Sequence, residues 1–263
     1  MSRIETRFAD LRRKSEKALV AYLTVGFPTL QIFPDLSRTC EEAGVDVLEL
    51  GVPFSDPLAD GPTIQAASEK ALQQGVSLAL VLDQVRQLRR RDIQIPLVLM
   101  TYFNPVLAYG IKAFFRDGKA SGMDGVIVPD LPPEEAEDLV DAARTYGVDT
   151  IFLASPTSSV ERLARIVAVS TGFLYYVSLT GVTGARRHLP QDINAHVRTI
   201  RRMTDLPICV GFGISGPTQV REVVQTADGV VVGSALLDVI AKAGLRAPQA
   251  VERFLRELKN ACH

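Results

Sequence analysis

The sequence predicts an α/β protein: a closed barrel of eight parallel strands, (β/α)8, with an extra N-terminal helix. Three observations predict it. Eight short apolar runs alternate with amphipathic helical stretches, the signature of βαβ units and a parallel sheet. The runs are apolar almost throughout, as strands buried on both faces must be. Glycine-bearing turns cluster behind the last three runs, where barrels often hold an anion. A doubly wound open sheet uses similar units, but the count of eight favours closure.

Before the first run, Ile4, Phe8 and Leu11 recur at helical spacing, giving a leading helix able to cover the bottom of the barrel. The eight runs are Leu19 to Thr24, Val47 to Gly51, Leu97 to Thr101, Gly125 to Val128, Thr150 to Ala154, Phe173 to Val177, Ile208 to Gly211 and Gly229 to Val232. Between the second and third, Leu78, Val81, Leu82, Val85 and Leu88 fall on one face of a helix over Ser77 to Arg91, with Ser77 as N-cap. After the fifth, Ser158 and Glu161 have the spacing of a capping box, and Val160, Leu163, Ile166 and Val167 are expected to point inward. No linker, repeat or low-complexity segment interrupts the order, so residues 1–263 read as one domain.

A formal net charge of −1 leaves no overall field to draw the chain to nucleic acid or an anionic membrane. The short basic runs Arg12 to Lys14 and Arg89 to Arg91 read as solvated cations at helix ends. Cys40, Cys209 and Cys262 are odd in number and widely spaced, which argues against a disulfide framework or a zinc site and fits the cytoplasm. The first residues carry charges where a signal peptide needs an apolar core, and no run approaches ~18 apolar residues. His188, His196 and His263 lack metal-ligand spacing and read as surface residues.

In barrels the chemistry sits at the C-terminal ends of the strands, so the loops after the runs are where function is sought. Three glycine turns follow the sixth, seventh and eighth runs, and a helix starting at Ser234 aims its positive end at the same place. A phosphate held by Gly184, Gly213, Gly233 and Ser234 is the reading these turns support. At the other side, Glu49 interrupts an apolar strand on the same face as Val47 and Gly51. Burying a carboxylate costs several kcal/mol unless it is paired or stays protonated. That leaves either a structural ion pair or an acid of raised pKa, suited to passing a proton at neutral pH. Asp60, just before a helix, is either its N-cap or an acceptor for a substrate N–H.

The stretch from Leu48 to Gln65, LELGVPFSDPLADGPTIQ, resembles the signature of the tryptophan synthase alpha subunit family. The similarity extends through Leu99 to Pro105, Gly125 to Pro132, Tyr175 to Ser178, Thr180 to Ala185 and Val210 to Ser215. The resemblance implies a carbon–carbon lyase that cleaves indole-3-glycerol phosphate to indole and glyceraldehyde 3-phosphate. It implies Glu49 as the acid protonating C3 of the indole and Asp60 as the holder of the indole N–H. Tyr22, Tyr102, Tyr175, Thr183 and Phe212 are implied to bind substrate, Thr183 from a mobile loop. Tyr22 stands where the family often has phenylalanine, and Pro129 where a small residue is common. The base that takes the glycerol hydroxyl proton is left open between Glu49 acting twice and water.

The resemblance also implies an αββα assembly, with pyridoxal phosphate only in the beta subunit and no cofactor here. Pro53, Asp56, Asn104 and Pro132 are implied to form the partner face, in loops at the barrel mouth. Two other readings compete. Another phosphate-binding barrel enzyme would need a strand-end lysine or paired acids that are missing at matching positions, and a purely regulatory partner chain would not need Glu49.

Overall fold

The structure is a computed structural model that describes residues 1–177, 193–211 and 213–263. Nine strands run through the described residues: β1 (Ala18–Thr24), β2 (Val47–Gly51), β3 (Leu97–Met100), β4 (Gly125–Ile127), β5 (Asp149–Ile151), β6 (Leu153–Ala154), β7 (Leu174–Val177), β8 (Ile208–Gly211) and β9 (Gly229–Val232). The helices are α1 (Arg3–Lys14), α2 (Phe33–Glu42), α3 (Pro62–Gln73), α4 (Leu78–Arg90), α5 (Phe103–Tyr109), α6 (Ile111–Ser121), α7 (Glu137–Tyr146), α8 (Val160–Val169), α9 (Ile193–Arg201), α10 (Pro217–Val223), α11 (Ser234–Ala243) and α12 (Ala247–Asn260).

Every strand pair is parallel, in the order β5-β4-β3-β2-β1-β9-β8-β7-β6. The two ends of that order are halves of one expected strand, separated by Phe152 alone. The first half pairs with β4 and the second with β7, while the Phe152 carbonyl accepts the N–H of Tyr175 at 3.2 Å. One interrupted strand thus joins both edges, and the sheet closes as the eight-stave barrel expected from the sequence.

Alternation along the strands divides the apolar residues into two cores. Val20, Val47, Val98, Ile127, Ile151, Cys209 and Val231 face inward and pack with Ile4, Phe8 and Leu11 of α1, which covers the bottom. Their neighbours, such as Leu19, Leu48, Leu50, Leu97, Val210 and Val230, face outward and pack in the larger core that the helices cover.

The bottom is also tied by charge. Asp46, Asp124 and Asp228 each stand one residue before a strand, and each accepts the N–H of Leu19, Leu97 or Ile208 in the neighbouring strand (2.7, 2.8 and 2.8 Å). Asp46 is wholly buried and meets Arg7 of α1 at 2.6 Å and Lys259 of α12 at 2.8 Å, so one carboxylate joins the two ends of the chain to the barrel. Asp124 holds Arg3 and Arg89, and Asp228 holds Arg201.

Three local expectations are corrected. Arg89 is not a solvated cation: its guanidinium is largely buried, bonds Asp124 and the carbonyls of Gly122, Ile93 and Ile95, and is pushed down to about 10 by desolvation. The N-cap of α8 is Ser159, whose hydroxyl accepts from Arg162 N, while Ser158 instead accepts from Ser155 N. Of the residues expected to point inward, Leu163 and Ile166 are buried, Val167 is half-buried, and Val160, the first residue of the helix, is exposed to solvent. His196 is also no simple surface residue, because its Nδ1 pairs with the buried Tyr176 hydroxyl at 2.9 Å. His263 is exposed, and His188 lies outside the described residues.

The bottom network leads to the first prediction. Asp46→Ala leaves Lys259, an ammonium only 12% exposed, without its counter-charge. It should lower the unfolding free energy by about 3–5 kcal/mol in urea titrations, as removal of one member of a buried pair does.

Candidate active site at the barrel mouth

Glu49 reaches the interior because it lies two residues after inward-facing Val47 in β2, beside Tyr22 of β1 and Val98 of β3. It is 1% exposed, and its Oε2 has no hydrogen-bond partner among the described residues. Burial, reinforced by the negative charge of Asp60, pushes its carboxyl up to about 8. The alternative of a structural ion pair finds no support, since no ion pair to Glu49 occurs among the described residues.

Asp60 lies in the loop between β2 and α3. Gly61, not Asp60, is the N-cap of α3, and it makes no side-chain cap bond. The cap reading therefore falls away. Burial raises the Asp60 carboxyl to about 6, less than Glu49, and the Tyr102 hydroxyl pulls the other way.

Both carboxyls line one cleft at the mouth of the barrel. Tyr22, Tyr175, Met100, Ile64 and Val231 give it apolar walls, and Gly213, Ile214, Gly233 and Ser234 close its far side. Tyr22 lies against Gly51, where an added Cβ would stand 2.0 Å from the phenol oxygen, so only glycine lets the ring lie there. The Tyr22 hydroxyl that this apolar wall must accommodate accepts a hydrogen bond from Thr24 Oγ1 at 3.3 Å. At the far side, Gly213 has φ +80°, a left-handed conformation open to glycine, and α11 begins at Ser234 with no side chain capping it. Ser234 lines the cleft, and its N–H, at the very start of the helix, has no carbonyl a turn earlier in α11 to meet.

The sequence-predicted residues are not all gathered here. Tyr102 is buried behind the loop and accepts the Ala59 N–H on its hydroxyl at 3.0 Å. Asp56 and Asn104 are exposed, Pro132 is half-buried and Pro53 is buried. Asn104 lies on the first turn of α5 rather than in a loop. Thr183, Gly184 and Phe212 lie outside the described residues. Ala59, Ile64, Met100, Ile214 and Val231 line the cleft without having been singled out. For Met100 and Val231 the alternation from Val98 and Gly229 was a usable signal.

A closed parallel barrel with two carboxyls of raised pKa at the C-terminal ends of its strands defines a βα-barrel enzyme. The chain belongs to the tryptophan synthase alpha chain family, whose description matches residues 8–263. It has that chain's function, a lyase in tryptophan synthesis. The tryptophan synthase alpha chain of Geobacter sp. (strain M21) is 51% identical over 242 residues, 92% of this chain and 90% of that one. That of Geobacter sulfurreducens is 46% identical over 262 residues, 99% of each chain. Among solved structures, tryptophan synthase subunit alpha from Legionella pneumophila str. Paris superposes with a TM-score of 0.93 at 38% identity, over 100% of this chain and 98% of that one. A chain of Mycobacterium tuberculosis tryptophan synthase gives 0.92 at 38% identity, over 99% and 98%.

The burial of Glu49 has a measurable thermodynamic signature. With the folded carboxyl at about 8 against an ordinary 4.5, its contribution is most favourable below the ordinary value and is lost as pH rises through the folded one. Glu49→Gln does not titrate. The stability of the variant relative to wild type should therefore grow between those two values and level off above them, by on the order of 5 kcal/mol in total. Urea unfolding of both proteins across that range checks this.

Proposed function

We propose that the cleft cleaves indole-3-glycerol phosphate, with Glu49 as general acid and Asp60 as the acceptor of the indole N–H. The observation that carries the reading is the buried Oε2 of Glu49, without a hydrogen-bond partner among the described residues, beside a cleft that also holds Asp60. Near neutral pH their environments leave Glu49 protonated and Asp60 ionised, one acid and one anion from two carboxyls. The Glu49 proton goes to C3 of the indole, and the positive charge that develops on the ring is steadied by Asp60 through the N–H. The C3–C1′ bond then breaks, its electron pair restores the aromatic ring, and the C1′ hydroxyl gives up its proton as it becomes the aldehyde. Water or the Glu49 carboxylate left by the first transfer takes that proton. Electrons balance without an oxidant.

The phosphate of the substrate sits at Gly213, Gly233 and Ser234, where the α11 N-terminus and glycine backbone offer N–H donors. Gly184, Thr183 and Phe212 are assigned to the same substrate on resemblance. Tyr22 and Tyr175 wall the indole. The reading predicts a bell-shaped pH dependence of kcat/KM, with an acid limb at about 6 as Asp60 ionises and an alkaline limb at about 8 as Glu49 loses its proton. Glu49→Gln keeps the shape and removes the transferable proton. Assay of indole release should find its activity at least ~100-fold lower, whereas a rate above about a tenth of wild type would refute the assignment.

A beta subunit is the proposed partner, in an αββα assembly where it alone carries pyridoxal phosphate and receives the indole. In support, the similar Mycobacterium tuberculosis chains come from structures titled tryptophan synthase, one in an aminoacrylate-bound form. The exposed Asp56 and Asn104 suit such a face better than buried Pro53, with Pro132 at its side. No described helix is long and apolar enough to cross a membrane, and three buried, unpaired cysteines suit the cytoplasm. Asp56 stands four residues before Asp60 in one loop, so Asp56→Ala should reduce activation by the partner by roughly 5–150-fold while leaving the isolated chain's rate nearly unchanged. Titrating beta subunit into the cleavage assay separates the two, and equal loss in both states would place Asp56 in the active site instead.

A further inference from the structure

We infer that Tyr102 is a positioning residue for Asp60, gripping the β2–α3 loop from behind so that the carboxylate faces the indole N–H. The inference rests on the role proposed for Asp60. Tyr102 is 3% exposed, yet it is Ala59 and Asp60, not Tyr102, that line the cleft. Its phenol oxygen accepts the Ala59 N–H at 3.0 Å, a contact made across 43 residues of sequence. Its ring lies 5.4 Å from that of Phe54 at an angle of 31°. One side chain thus holds the loop near both its beginning and its end.

The loop between these points has little else to fix it. Leu58 is 85% exposed, and Ser55 and Asp56 are turned to solvent. The anchor, by contrast, is itself fixed. Tyr102 is the N-cap residue of α5, and the next N–H, that of Phe103, is held by both carboxylate oxygens of Asp130 at 3.0 and 3.2 Å.

A phenol oxygen that accepts one hydrogen bond keeps its own proton to donate. The residue following Ala59 is Asp60, whose carboxyl Tyr102 holds below where burial alone would place it. Tyr102 thereby does two things at one atom: it sets where the loop lies, and it favours the ionised form of Asp60 that an indole N–H needs. Because Asn104 sits two residues along on α5, the same tyrosine also joins the exposed mouth to the site.

The test compares wild type, Tyr102→Phe, Asp60→Asn and the double variant as full-length chains. It records kcat and KM against pH, thermal stability, and binding of indole-3-propanol phosphate and glycerol 3-phosphate. Removing the donor raises the Asp60 carboxyl, so the acid limb of kcat/KM in Tyr102→Phe should move up by roughly one pH unit. The indole analogue should bind on the order of tenfold more weakly, as when a hydrogen bond to a charged group is lost, and glycerol 3-phosphate should bind as before. The double variant should lose no more than Asp60→Asn alone. An unmoved acid limb, equal weakening of both ligands, or additive losses in the double variant would overturn the inference and leave the Asp60 reading standing. If Asp60→Asn itself leaves the analogue and the acid limb intact, the Asp60 reading fails, and this inference with it.

Discussion

A carboxyl group kept dry inside a parallel barrel is the interaction around which the mouth of this molecule is arranged. Glu49 occupies a strand position that alternation makes inward, and its neighbours on that face are apolar side chains and tyrosines. No cation among the described residues meets it, so desolvation is uncompensated and the proton stays on. A hydrogen-bonded ion pair in the same place would be more stable and useless as an acid near neutral pH. Such local cost is tolerable only in a scaffold whose stability comes from elsewhere.

The opposite end of the barrel supplies it. There Asp46, Asp124 and Asp228 each take a strand N–H and at least one cation, although the Oδ2 of buried Asp149, the first residue of β5, has no hydrogen-bond partner among the described residues. The contrast between these three ion-paired carboxylates and Glu49, which meets no cation among the described residues, matches the division of such barrels into a stabilising bottom and a reactive top. The two layers are linked through β2, which carries Asp46 just before its first residue and Glu49 at its third. Two residues separate a carboxylate that fastens α1 and α12 from one that is poised for chemistry.

The strands and Glu49 were legible in the chain, but the paired aspartates at the bottom were not. Apolar runs located the strands because burial on both faces leaves a composition signal, and Glu49 stood out because it broke such a run. The glycines of the far side were visible as turns. What could not be read depended on contacts distant in sequence. The break at Phe152 that lets one strand pair on both sides leaves no composition mark. Arg89 reads as one of three surface arginines until Asp124 and three carbonyls are folded around it. Ser158 and Ser159 are equally good caps by type, and Val160 is exposed because it stands at the first turn of α8, short of the core that Leu163 and Ile166 reach. Tyr102 was singled out by resemblance, but its bond to Ala59 is purely tertiary.

The two acids also show why a strand and a loop are not interchangeable places for a carboxyl. Glu49 is held by backbone pairing on both sides, so its position is fixed by the sheet and its pKa by what the sheet buries. Asp60 has no ladder to hold it. Its position depends on side-chain contacts with the loop, and weaker burial together with the Tyr102 hydroxyl keeps its carboxyl below that of Glu49 (about 6 against about 8). Exchange of the two environments would favour the ionised form at position 49 and the protonated form at position 60. The arrangement therefore follows from topology: Glu49 is built into the barrel wall, and Asp60 stands in the loop after β2, where the Tyr102 hydroxyl takes the neighbouring Ala59 N–H and the Gln65 side chain donates to the Asp60 carbonyl.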